Sequence, residues 1–248
     1  GNAEQRFTED ALRILRGVRF ASQLGFAIEP ATIAGMRAQA AGLGRIAVER
    51  IAHELNGLLC GAQVHDALMS YADIVYAVLP ELAPLWQFEQ HTKYHVYDVW
   101  EHSAYVVQYV RPQSRVRWAA LLHDSGKPET FLMEAGVGPF YGQAKYSVPL
   151  AQRVMKRLKL SPKFIHEVCL LVRYHDTVTP PQPKSVKRLL QKLDGREDLF
   201  RDLCDLKRAD SRAHAPEHQT GIAIADELEA CLDAVIAEGQ AFSLKQLA

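Results

Sequence analysis

Arg117-Trp118-Ala119-Ala120-Leu121-Leu122-His123-Asp124-Ser125-Gly126-Lys127-Pro128 decides how the rest of this chain is read. The apolar run predicts a buried helix over about 115–123, and Gly126 with Pro128 stops it. That helix delivers an adjacent imidazole and carboxylate to its own end. Burying both costs free energy unless something binds them, so the doublet points to a metal. His102 sits on a helix expected over about 97–110, among Trp100, Tyr105 and Val106. Asp210 follows a helix whose inner face is Leu199, Leu203 and Leu206. A lone helical His is more often structural, and a lone Asp near a helix end usually caps it or faces water. The doublet is what gives these two a function. Two imidazoles and two carboxylates suit a hard or borderline divalent cation such as Mg²⁺, Mn²⁺ or Ni²⁺. Four ligands leave room for water and a phosphate oxygen, and a metal there activates water near neutral pH.

A second doublet, His175-Asp176, ends a helix expected over 162–174. It supplies a further ligand or a substrate contact, or it is a solvated terminus with His⁺ at the negative end of the helix dipole. Lys127 is either a phosphate-holding cation beside the doublet or a surface lysine. Basic residues cluster at Arg153, Lys156, Arg157, Lys159 and Lys163, and again at Lys184, Lys187, Arg188 and Lys192. Such clusters are usually solvated faces, but two in one chain make a fair polyanion track.

Outward from these motifs the chain reads as all-α. Thr8-Glu9-Asp10 predicts an N-cap and acidic first turn for a helix ending at Gly25. Arg13, Arg16 and Arg19 form a basic stripe on it. Further helices are expected over about 30–41, 48–59 and 65–78, and Pro80 with Pro84 marks a linker. Residues 1–85 therefore make a small helical module, and 86–248 a helical bundle. In the bundle, 128–146 is a loop or short hairpin, and helices follow at about 148–158, 162–174, 184–193, 197–209 and 216–237.

The 248 residues carry a formal net charge of zero, so a nucleic-acid surface must be a local patch. The four cysteines, Cys60, Cys169, Cys204 and Cys231, show no CxxC spacing and read as buried thiols in a reducing compartment. There is no signal peptide or membrane-spanning apolar run, which leaves a cytoplasmic expectation. The chain opens without Met and stops inside an apolar pattern, as a piece of a longer protein does.

The pattern His102, His123-Asp124, Asp210 resembles the HD phosphohydrolase superfamily. The flanking text is more specific. Tyr97-Asp98-Val99-Trp100-Glu101-His102, the doublet segment, Phe140-Tyr141-Gly142 and Tyr174-His175-Asp176 resemble the HD domain of bacterial tRNA nucleotidyltransferases, the CCA-adding enzymes. Arg6-Phe7-Thr8-Glu9-Asp10-Ala11-Leu12-Arg13 and Glu49-Arg50-Ile51 resemble the neck of class II CCA-adding enzymes and bacterial poly(A) polymerases. The resemblance implies that Glu9, Asp10 and Arg13 pair with the base of CTP or ATP. A plain ion pair between Asp10 and Arg13 is the structural alternative. It implies tRNA or another RNA 3′ end and nucleotides as partners, with no membrane. It also implies a catalytic head with a Gly-Ser loop and metal carboxylates, and no such motif is present, so nucleotide transfer is not expected of this chain.

In that family the Phe-Tyr-Gly element is followed by His, whereas here position 143 is Gln. The departure argues against a two-metal arrangement in which His175 would hold a second ion. It leaves one metal on His102, His123, Asp124 and Asp210, with catalytic roles for His123, Asp124 and Lys127. The expected activity is hydrolysis of RNA or nucleotide phosphoesters. The rival is a non-catalytic RNA-binding scaffold in which Gln143 marks a degenerate site.

Overall fold

The computed structural model describes residues 3–90, 92, 94–130 and 142–245, the side chains of 3, 4 and 240–245 excepted. Fourteen α-helices are described, with no strand among the described residues. They are α1 (Ala3–Glu9), α2 (Leu12–Leu24), α3 (Pro30–Gln39), α4 (Val48–Leu59), α5 (Val64–Ser70), α6 (Ala72–Val78), α7 (Val99–Tyr109), α8 (Ser114–Leu122), α9 (Lys127–Thr130), α10 (Ala144–Arg157), α11 (Pro162–Tyr174), α12 (Pro183–Lys192), α13 (Glu197–Arg212) and α14 (Gly221–Lys245). Short 3₁₀ turns span Ala40–Arg45, Pro80–Leu85 and Pro216–His218. The all-α expectation holds. No helix among the described residues is long and apolar enough to cross a membrane.

Several boundaries differ from the sequence reading, each for a local reason. Thr8 is not an N-cap: it lies inside α1, and the chain turns at Asp10-Ala11 before α2 begins. Asp10 Oδ1 accepts from the Leu12 amide instead. The single helix expected over 65–78 is two, broken at Tyr71 (φ −125°, ψ 28°). Tyr71 is buried, and its hydroxyl accepts from the Ile28 amide. Gly25 does cap α2 in the left-handed region, at φ 72°. Pro128 does not end helical structure but lies in α9. The expected loop or hairpin over 128–146 is helical at both ends; Phe140, Tyr141 and most of that stretch lie outside the described residues. All four cysteines are free; Cys169 and Cys204 are buried, Cys60 and Cys231 only half so.

One buried apolar cluster takes side chains from both halves of the chain, from Phe7 to Val235. Two indoles connect the N-terminal helices to the bundle. Trp100 Nε1 donates to the Leu68 carbonyl at 3.3 Å, and Trp118 Nε1 to Asn56 Oδ1 at 3.3 Å. Both are fully buried, and burying an aromatic of this size stabilises by about 1.5–3 kcal/mol. The basic stripe on α2 is not free either: Arg16 and Arg19 both reach the buried Glu54 carboxylate of α4.

Asp202 of α13 is 1% exposed and binds both Arg111 and Arg115. Arg115 also meets Glu167 of α11 and Asp198, tying α8, α11 and α13 together. Asp202→Ala is expected to cost about 3 kcal/mol, the low end for breaking a buried ion pair, because both guanidiniums keep other carboxylates and some water. Urea denaturation checks this; a loss under about 1 kcal/mol would show the network to be passive.

Candidate metal centre

Three helices bring the expected ligands together. Asp98 caps α7, its carboxylate accepting from the Glu101 amide at 2.8 Å, and His102 follows one turn later. His123 and Asp124 leave the end of α8. Asp210 lies in the last turn of α13. The ligand atoms of His102, His123, Asp124 and Asp210 all lie within 4.8 Å of one another. His102 Nε2 is 3.0 Å from Asp210 Oδ1 and 3.6 Å from Asp124 Oδ2. His123 Nε2 is 3.1 Å from Asp124 Oδ2 and 3.6 Å from Asp210 Oδ1.

The donor set fits a cation. His123 Nδ1 donates to the Ala120 carbonyl at 2.7 Å, which leaves the Nε2 lone pair facing the carboxylates. Both Nε2 of His123 and Oδ2 of Asp124 are buried and lack an aligned hydrogen bond, a costly pairing that an ion would relieve. His102, His123 and Asp124 are essentially sealed, while the Asp210 side chain keeps 23% of its exposure. It faces a cavity of about 530 Å³ that His175, Lys207, Ser211 and His214 also line.

The electrostatics follow from burial set against charge. Burial alone raises both carboxyl pKa values. The His123 and Lys127 cations outweigh it at Asp124, and the His102 and His123 rings at Asp210, holding both well below the usual range. Burial lowers the His123 pKa, but Asp124 and Asp210 overcome it and lift the ring to about 10. At His102 burial prevails and its pKa falls.

Lys127 is not a surface lysine. It is 4% exposed, with Nζ 2.5 Å from Asp124 Oδ2 and 2.6 Å from Gln90 Oε1. Gly126 is required for a reason other than a left-handed turn. A Cβ there would meet the Ser147 amide at 2.5 Å and the Gln143 carbonyl at 2.8 Å, so α10 packs directly on the doublet. His175 is buried rather than a solvated terminus. Its Nδ1 donates to the Val172 carbonyl at 2.7 Å, and its Nε2 accepts from the Gln143 amide at 3.1 Å, 3.6 Å from Asp124 Oδ1. Gln143 therefore occupies the lone pair that a second ion would need.

Two histidines were missed. His214 Nε2 lies 3.7 Å from Asp210 Oδ1, and the His95 ring stands 5.0 Å from that of His102. The spacing of Asp210 to His214, four residues at a helix end, was the available signal.

The N-terminal residues pair differently from expectation. Arg13 binds Glu9 at 3.0 Å and the Arg6 carbonyl, not Asp10. Asp10 pairs with Arg50 at 3.3 Å, because the turn at Asp10-Ala11 points its carboxylate across to α4. Of the basic clusters, Arg157 is held by Glu81 and Lys159 by Glu49, which removes two cations from the expected track.

The HD-domain family model matches residues 92–231, and the model for the probable RNA- and SrmB-binding site of polymerase A matches 25–85. The chain is 31% identical over 225 residues to the A-adding tRNA nucleotidyltransferase of Deinococcus radiodurans, covering 85% of this chain and 51% of that protein. It is 32% identical over 224 residues to the CC-adding tRNA nucleotidyltransferase of Thermus thermophilus, with the same two coverages of 85% and 51%. The crystal structure of the Bacillus stearothermophilus CCA-adding enzyme in complex with CTP superposes with a TM-score of 0.61 at 25% identity, over 93% of this chain and 49% of that one. The chain thus spans about half the length of the curated relatives it matches.

Proposed function

The chain belongs to the HD-domain family, and we propose that His102, His123, Asp124 and Asp210 form a divalent-metal-dependent phosphohydrolase site. It acts on phosphoester ends of RNA or nucleotides, 2′,3′-cyclic phosphates among them. The observation that carries this reading is the four-ligand cluster itself, all of whose ligand atoms lie within 4.8 Å of one another and in which His123 Nε2 and Asp124 Oδ2 are buried without an aligned hydrogen bond. Mg²⁺, Mn²⁺ or Ni²⁺ suits that donor set. Such a cation supplies Lewis acidity toward phosphoryl oxygens and a lowered pKa for attacking water. The protein's part is positional. The Ala120 carbonyl fixes the His123 tautomer. Asp98 sets the start of the helix that carries His102. Lys127 acts as a positioning residue, since its ammonium orients Asp124 and is shared with Gln90. The Asp210 side opens to a cavity, so substrate approaches there. Gln143 on His175 supports one cation at this centre rather than two.

The test is direct. The purified chain, loaded with Mn²⁺, Ni²⁺ or Mg²⁺, is expected to bind metal stoichiometrically and to hydrolyse 2′,3′-cyclic AMP. No metal uptake, with RNA affinity unchanged in His123→Ala, would leave the scaffold reading standing instead.

The relatives' names support a setting in tRNA 3′-end processing, with ATP and CTP as substrates of a longer protein. Residues 1–85 would then be the neck, 86–248 the HD domain, and Glu9, Asp10 and Arg13 the base-reading group. Each of those three is already engaged, so nucleotide binding must exchange the Arg13–Glu9 and Asp10–Arg50 pairs for base contacts. RNA contact would fall to the exposed cations of α12. Replacing Lys184, Lys187 and Arg188 together by Ala is expected to weaken tRNA binding at least about tenfold and flatten its salt dependence by about two to three phosphate contacts. An unchanged salt slope in fluorescence titrations would place the RNA elsewhere.

A further inference from the structure

His95, His102 and His214 bring ligand-type nitrogens within 4.8 Å of one another. They come from three places in the chain: the segment before α7, α7 itself and the turn after α13. The His95 ring is perpendicular to His102 at 5.0 Å and to His214 at 4.7 Å. The His102 and His214 rings stack at 5.6 Å with 15° between their planes. Two nitrogens of this group, Nδ1 of His95 and Nδ1 of His102, are buried without a hydrogen-bond partner. Each such orphan leaves a desolvated polar atom uncompensated, and two within one trio of rings favour a shared occupant.

We propose that these three imidazoles form a second cation position, beside the His123–Asp124 centre, for a borderline transition ion such as Zn²⁺, Co²⁺ or Ni²⁺. The donor set decides the class of ion. Three neutral nitrogens with an open fourth position suit borderline metals, while Mg²⁺ demands oxygen ligands. The position is reachable, since His95 lines a cavity of about 760 Å³ and His214 one of about 530 Å³. His102 belongs to both sets, so an ion held by the three imidazoles withdraws a ligand from the mixed centre. Zn²⁺ at the three-histidine position therefore opposes metal loading of the His123–Asp124 centre. This stands apart from the phosphohydrolase reading, which needs neither His95 nor His214.

Co²⁺ is the probe, because its visible absorption reports low-coordinate nitrogen ligation. Asp124→Asn disables the mixed centre in the full chain. The variant is expected to bind one Co²⁺ with intense visible bands. Adding His95→Asn and His214→Asn is expected to abolish those bands and to weaken Co²⁺ binding at least about tenfold. His123→Asn combined with Asp210→Asn, which removes two ligands of the mixed centre and keeps the Asp124–Lys127 pair, takes the place of Asp124→Asn if circular dichroism shows the latter unfolded. No Co²⁺ uptake by a folded centre-disabled variant overturns the proposal, as does uptake that ignores the loss of His95 and His214. Absence of cyclic-phosphate hydrolysis by the wild-type chain would overturn the phosphohydrolase reading alone and leave this binding result untouched.

Discussion

Asp124→Asn is expected to lower kcat for metal-dependent phosphoester hydrolysis by about a thousandfold or more. The substitution keeps size and shape. It removes one of the two anionic oxygens, Asp124 Oδ2 and Asp210 Oδ1, that lie within 3.6 Å of both His102 Nε2 and His123 Nε2. It leaves an amide that still accepts from Lys127, so the buried ammonium is not stranded. Metal affinity and activity should therefore fall together while the unfolding midpoint moves little. Lys127→Gln should act one step further out. Lys127 supplies no ligand atom but supports one, through its contact with the Asp124 carboxylate and with Gln90, and loss of such a supporting partner typically costs about 10–100-fold in metal affinity. Steady-state kinetics on 2′,3′-cyclic AMP with matched metal titrations separates the two. Retention of more than about a tenth of kcat by Asp124→Asn would remove Asp124 from the reaction.

What the sequence made legible was periodic or adjacent. α4 and α11 match the expected spans because each has a clean apolar face, and α11 starts at a capping Ser161 and Pro162. The doublet was visible because His123 and Asp124 are neighbours after an apolar run. His102 and Asp210 were visible only through the pattern they complete with it. Hidden features depended on distant contacts. The break at Tyr71 needs the Ile28 backbone, 43 residues away, to accept the bend. The burial of Lys127 needs Gln90. Arg13 turned to Glu9 because a single turn at Asp10 redirected that carboxylate toward Arg50. His95 carried no doublet or repeat and His214 only its four-residue spacing from Asp210; the three-dimensional convergence on His102 is what brings them together. Gln143 was noticed as a departure, yet its effect, a hydrogen bond that caps His175, could be read only from the fold.

The charge state of the centre makes metal binding steeply pH-dependent. In the metal-free chain the His123 ring titrates at about 10, while its unfolded value is about 6.5. A raised pKa contributes stability that is fully present below about 6.5 and is lost as pH rises through about 10. Asp124 and Asp210 run the other way: their depressed pKa values contribute stability above the ordinary carboxyl range, lost as pH falls through their folded values. His102 and His95 act in the carboxyls' direction, since burial lowers their pKa values and stability is lost as pH falls below their unfolded value of about 6.5. Together these groups put the greatest stability of the metal-free protein near pH 6.5, at about the unfolded imidazole value. A cation must displace the His123 proton to reach Nε2. Apparent affinity should rise about tenfold per pH unit, close to a thousandfold from pH 6 to pH 9, with about one proton released per ion bound. Calorimetric titrations in buffers of different ionisation enthalpy count that proton. In His123→Asn, where no proton needs to leave this ring, the pH slope should collapse toward zero even though affinity at any one pH is lower. An equally steep slope in that variant would mean that another group carries the proton and that His123 binds no metal.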